Sequence, residues 1–214
     1  MTQRRNRLGP HRKILVASSA VLVVAVAVGL AQWAERLWEG DPYPVEDPSA
    51  TALRLDGHTQ SLYDALGLPD AELDPDWPGG GQEASSSCNY RGLKHFSKQL
   101  NDTPPSMPGV VKVSSEWALK GVSWGQAQTA LRRAREQLTE HGWKVTTYES
   151  VNHAIQLRTQ PPGTDDTVWV EAYPRDRLGV VAYSECARYP SGTPMNGWNE
   201  PELPAQGAPT QLRG

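Results

Sequence analysis

Apolar and polar residues alternate by two through Val110 to Leu119, Trp143 to Glu149, Ala154 to Gln160, Thr167 to Tyr173 and Leu178 to Cys186, the spacing of half-buried strands. Between the first two segments the period lengthens. Ala127, Leu131, Ala134 and Leu138 share one stripe of a helix, Ser123 and Gln126 form a capping box before it, and Gly142 marks its end. Turn residues at Ser150 to Asn152, at Pro161-Pro162-Gly163 with Asp165 and Asp166, and at Pro174-Arg175-Asp176 join the later strands by short links, which favour antiparallel neighbours. The order β-α-β-β-β predicts an α+β fold over residues 87–189: a small two-layer domain with one helix on a mostly antiparallel sheet.

Period two also divides the side chains between two faces. One face collects Val111, Val113, Trp117, Leu119, Trp143, Val145, Ile155, Leu157, Val168, Val170, Val180 and Ala182 and is the expected core beneath the helix. The other collects Lys144, Thr146, Tyr148, Gln156, Arg158, Trp169, Glu171, Tyr173, Val181, Tyr183 and Glu185, which is too aromatic for an idle solvent face. Two readings follow. Either the segment from Cys88 to Met107 lies over it with Tyr90, Leu93, Phe96 and Leu100, or the face is open and binds a partner. In the second case Tyr148, Trp169, Tyr173 and Tyr183 supply contact area, and Arg158 and Glu171 set the register.

From Ile14 to Ala31 the pattern is continuous instead of periodic, with no charge. At about 1.5 Å per helical residue this run nearly crosses a hydrocarbon core of roughly 30 Å, and residues 14–34 are read as a transmembrane anchor. Trp33 and Trp38 stand where indoles favour the interface. The basic tail 1–13, set against Glu35, Glu39 and Asp41, places the amino terminus in the cytoplasm and the remainder outside the membrane. A cleaved signal peptide is the competing reading, with Gly29 and Ala31 or Ala25 and Ala27 before the cut. Residues 35–86 read as a Pro-, Gly- and acid-rich linker with one helical turn near Ser61 to Leu66, and residues 190–214 as a Pro-rich disordered tail.

Length and charge narrow the picture. The 214 residues hold one domain plus tails, and the net charge is -3. Arg4, Arg5, Arg7, Arg12 and Lys13 all precede the first acid, so the body of the chain is distinctly acidic. Nucleic acid is excluded as a partner on that ground, since its recognition rests on neutralising phosphates. The two cysteines, Cys88 and Cys186, read as one disulfide outside the cytoplasm, with two free thiols as the alternative.

Chemistry finds little purchase. Gly121-Val122-Ser123-Trp124-Gly125 fits the nucleophile-elbow pattern between a strand and a helix. The acid and histidine that should follow are wrongly placed, because no Asp lies between Ser123 and either His141 or His153, and Glu149, four residues before His153, is too close to occupy a separate strand-end loop. Ser123 is fully explained as the helix cap. Asp70, Glu72, Asp74 and Asp76 have the alternate spacing of calcium ligands, but Pro75 and Gly81 occupy positions the loop needs for glycine and glutamate. No metal site and no cofactor is expected.

The apolar N-terminal run, the Cys-Asn-Tyr-Arg-Gly stretch at 88–92, the capped helix ending Gly142-Trp143, and Cys186-Ala187-Arg188-Tyr189-Pro190 together resemble small single-pass membrane-anchored proteins of actinobacteria. The excess of arginine over lysine agrees with this. The resemblance implies the same topology and a disulfide, and carries no activity with it. The sequence is therefore read as a non-catalytic extracytoplasmic binding domain whose partner is a cell-envelope protein or a cell-wall polymer. A passive envelope spacer and a serine hydrolase using Ser123 are the alternatives.

Overall fold

The computed structural model describes residues 28–151, 154–207 and 209–212. They divide into two compact units: residues up to Pro42 together with Asn89–Pro105, and Tyr43–Cys88 together with the chain from Ser106 onward. In the first unit residues 28–39 are helical (α1), and a single 3₁₀ turn, Leu93–His95, runs into the short helix α3 (Phe96–Gln99). The anchor expected over 14–34 lies outside the described residues except for 28–34. No helix among the described residues is long and apolar enough to cross a membrane. The fold class expected from the sequence is corrected on this point.

The second unit is α+β and richer than expected. Helix α2 (Pro48–Leu66) is followed by strands β1 (Glu72–Leu73), β2 (Gly81–Ser85) and β3 (Val110–Lys120), then helix α4 (Trp124–Glu140). Strands β4 (Lys144–Val151), β5 (Ala154–Gln160), β6 (Thr167–Tyr173), β7 (Arg177–Tyr183) and β8 (Ala187–Arg188) complete an eight-stranded sheet. All its pairings are antiparallel, in the order β1-β3-β7-β6-β5-β4, with β2 and β8 also on β3. Helix α4 carries the chain from β3 to the far edge at β4, and short turns bring it back strand by strand to β3. Every strand expected from the alternation is present.

Two helices cover the sheet, not one. Leu131, Ala134 and Leu138 of α4 and Leu55, Leu62 and Leu66 of α2 are buried with Val113, Trp117, Leu157, Val170 and Val180 in one core. Helix α2 occupies what reads in the sequence as a linker. Its start is built from Asp47, whose carboxylate accepts from the N–H groups of Ser49 and Ala50, and from Pro48 in the first turn. Its end is Gly67 in the left-handed conformation, and Arg133 of α4 donates to the Gly67 carbonyl at 3.0 Å. The C-terminal segment is likewise part of the fold. Leu203 and Leu212 pack on the core, the Gly207 N–H donates to Asp56 at 2.7 Å, and the Ser115 hydroxyl donates to the other Asp56 oxygen at 2.8 Å.

Cys88 and Cys186 form a disulfide across 98 positions. In the chain-entropy account a loop of that length restrains the unfolded chain by about 4.7 kcal/mol. Replacing both cysteines by alanine is expected to lower the unfolding free energy by about 3 kcal/mol, read from urea denaturation of the two proteins side by side.

A second tie is ionic. Asp166, in the turn before β6, is buried and accepts from Arg54 at 2.8 and 3.2 Å, with His58 at 3.1 Å; Glu46 holds the far side of Arg54. Burial pushes the Asp166 pKa up, but the hydrogen bonds from His58 and Arg54, the Arg54 charge and Thr164 outweigh it and hold it at about 2. Because the folded value lies below the ordinary 3.8, the stabilisation is full above about pH 4 and disappears as the pH falls toward 2. Allowing for solvent at half-exposed Arg54, it amounts to about 1–2 kcal/mol. Asp166→Asn is expected to remove that part of the acid dependence, measured as unfolding free energy against pH.

Candidate functional site

The outer face of the sheet, opposite the helices, is built in rows that run across the strands. Register places Thr147, Arg158, Trp169, Val181 and Glu116 side by side from β4 to β3. The next row toward the end of β6 contains Gln156, Glu171, Gly179 and Ala118. Tyr183 lies opposite Thr167 and Ser114, and Tyr173 opposite Arg177. Five of the six residues expected from the sequence, Arg158, Trp169, Glu171, Tyr173 and Tyr183, therefore share this face.

The sixth does not. The pairing runs Val145 with Thr159, then Thr147 with Arg158 and Tyr148 with Leu157, so Thr146 is an extra residue in β4. From there on the side chains of β4 change faces. Tyr148 packs against the helix-side core, and the Arg135 guanidinium of α4 stands 4.5 Å from its ring centre. The placement of Tyr148 among the binding residues is corrected accordingly.

Interactions within the face are specific. Arg158 stacks over the indole of Trp169 at 4.6 Å, and Lys112 over the ring of Tyr183 at 4.8 Å. The Tyr173 hydroxyl donates to Glu171 at 3.0 Å. Burial, then the hydrogen bond and charge of Glu171, push the Tyr173 phenol up to about 12. Tyr183 is raised by burial and by Glu116. Both phenols stay protonated through the neutral range and act as donors. The Trp169 Nε1 proton is buried and has no acceptor among the described residues.

One part of the cover was not legible in the alternation. Trp77 reaches over the sheet from the segment between β1 and β2, and its indole N–H donates to Glu116 at 2.7 Å. It meets Tyr173 edge to face at 5.0 Å. Gly179 makes this seat possible, since a Cβ there would stand 3.0 Å from both the Trp77 and the Tyr173 rings. Beside them remains a depression of about 80 Å³ walled by Glu116, Trp169, Glu171, Tyr173 and Tyr183. Of the residues expected to close the face, Leu93, Phe96 and Leu100 are exposed and belong with 89–105 to the other unit. A lone tryptophan in an acidic, Pro-rich stretch was the available signal for Trp77.

Other candidates resolve into local structure. A groove of about 400 Å³ runs between the end of α2 and the start of α4, where Arg133 is engaged with the Gly67 carbonyl and Gln126 with Ser123. The Ser123 N–H donates to Gln126 Oε1 at 2.9 Å, the reciprocal bond of the capping box, and the Ser123 hydroxyl donates to the same oxygen at 2.7 Å. Asp74 is buried against Arg177 at 2.7 Å and Glu72 pairs with Lys120 at 3.2 Å, so the acidic run is spread over separate partners. Among the described residues no group of three or more acidic, His or Cys side chains is placed to hold a metal. No family model, curated protein or solved structure matches the chain.

Trp77 seals one end of the face, and Trp77→Ala is expected to destabilise the second unit by about 2 kcal/mol. Urea unfolding checks this.

Proposed function

We propose that this chain is a non-catalytic binding protein of an oxidising, extracytoplasmic compartment, and that it docks its partner through the outer face of the sheet. The observation that carries this reading is the shared face of Arg158, Trp169, Glu171, Tyr173 and Tyr183. Each is half-buried or exposed, and Trp77 reaches over one end of the set, at Glu116 and Tyr173. Half-exposed aromatic rings flanked by Arg and Glu are the composition of recognition surfaces, where rings give contact area at small entropic cost. The depression beside Trp169 is walled by the Tyr173 and Tyr183 rings and by the Glu116 and Glu171 carboxylates. A cell-wall polymer or an envelope protein would find both stacking surfaces and carboxylate acceptors there. The Cys88–Cys186 bridge supports the compartment.

The test is co-sedimentation of the full chain, disulfide intact, with isolated cell wall and, separately, its retention by detergent-solubilised envelope proteins. Trp169→Ala and Tyr183→Ala are expected to weaken binding about tenfold or more while the thermal midpoint stays close to that of the parent. Unfolding of both variants would assign the face to the core. Absence of binding to either fraction would leave the passive spacer as the better account.

A further inference from the structure

The first unit presents a surface that the sheet does not explain. Leu30, Trp33 and Leu37 of α1 recur at i, i+3 and i+7, and so do Leu93, Phe96 and Leu100 along the 3₁₀ turn and α3. All six are between 44% and 69% exposed. In a helix this spacing puts each trio on one stripe. Opposite the first stripe stand Gln32, Glu35, Arg36 and Glu39, and opposite the second Lys94, His95, Lys98 and Gln99. Two short amphipathic segments thus expose their apolar sides.

What joins the segments leaves those sides unused. Gly40 and Gly92, both at positive φ, bring the two backbones into contact: a Cβ on Gly92 would overlap the main chain at Glu39 and Gly40, and one on Gly40 would overlap Arg91 and Gly92. Lys94 pairs with Glu39 at 2.9 Å, an exposed pair that water or another anion can replace. Within 89–105 Tyr90 is held by the Lys98 ammonium 4.4 Å from its ring centre, by the His95 ring and by the Gln99 amide on its carbonyl, so the contacts that hold the unit together do not draw on Leu93, Phe96 or Leu100, which stay exposed.

We propose that this unit is an interfacial lipid-binding element, lying on an anionic bilayer surface with Leu93, Phe96 and Leu100 among the acyl chains and Lys94 and Lys98 at the headgroups. Three features choose a lipid surface over a protein groove. The exposed apolar side chains include Trp33, Trp38 and Phe96, and Trp is enriched at the membrane–water boundary. Among the described residues of the unit the net positive charge lies in 89–105, where Arg91, Lys94 and Lys98 stand against a single acid, Asp102, while residues 28–42 hold Arg36 against Glu35, Glu39 and Asp41; the 89–105 segment is the part that complements anionic headgroups. In the sequence, α1 is preceded without a break by the uncharged apolar run from Ile14. The proposal concerns residues of the first unit only and stands apart from the reading of the sheet face.

The experiment uses the full chain in vesicles of phosphatidylcholine with and without phosphatidylglycerol. A nitroxide is attached at Phe96→Cys, with Ser191→Cys as the reference in the other unit. Collision rates with oxygen and with a water-soluble nickel chelate read depth directly, whatever else attaches the chain to the vesicle. The label at 96 is expected to be shielded from nickel and open to oxygen in vesicles, while the label at 191 remains open to nickel. In phosphatidylglycerol vesicles the combined Lys94→Glu and Lys98→Glu change is expected to bring the label at 96 back toward water. Equal nickel access at 96 and 191 overturns the proposal. So does shielding at 96 before lipid is added, which would mean that protein covers the stripe, and so does a depth indifferent to the two lysines.

Discussion

Strand β3 has more residues than any of its neighbours, and the hydrogen-bonding capacity of its two edges is the constraint from which the second unit is assembled. One edge takes β7 and, beyond a break, β8; the other takes β2 and β1 in line. The break is itself bridged, because the Ser184 N–H donates to the Val113 carbonyl while the Ser184 hydroxyl accepts from the Val113 N–H. The ladder is thereby continued past the end of β7 without leaving buried backbone groups unpaired. Once β3 is fixed, the register of β7 places Gly179 beside Ala118, and the seat for Trp77 follows.

The two faces of this sheet are held by different means. On the helix side burial of leucine, valine and alanine dominates; Ser115 is satisfied there by Asp56, while the Trp117 indole N–H has no acceptor among the described residues. On the outer side rings are held by cations and carboxylates at the surface: Arg158 on Trp169, Lys112 on Tyr183, Glu116 on Trp77. A packed interior and a polar, aromatic exterior on one sheet give rigid support to side chains that remain available to solvent. That division favours recognition over storage of another core.

Strands β3 to β7 and α4 were legible because of their periods and because their turns carry Gly, Pro and Asp, whereas the short β1, β2 and β8 offer too few residues to show a period. Helix α2 was not, although Asp47, Pro48 and Gly67 mark both its ends. Its buried stripe passes through Thr51 and Thr59, and Gly57 sits in its middle, so composition masked the period; tertiary packing against α4 and β3 supplies what local propensity lacks. The C-terminal segment shows the same thing, since its contacts with Asp56 and the core connect residues far apart in the chain. Tyr148 illustrates a different limit. A single extra residue at Thr146 inverts every later side chain of β4, and nothing in the alternation announces it.

Residues 89–105 leave and re-enter the second unit at neighbouring points, for the Met107 N–H donates to the Cys88 carbonyl at 2.6 Å and Cys88 is bonded to Cys186. The excursion is thus a graft on a stapled base. The entropy of closing such a loop grows only with the logarithm of its length, so insertions and deletions within it leave the register of β2 and β3 untouched. Changes of length in that segment therefore act on the loop alone, because its two ends are fixed at a base that the disulfide holds.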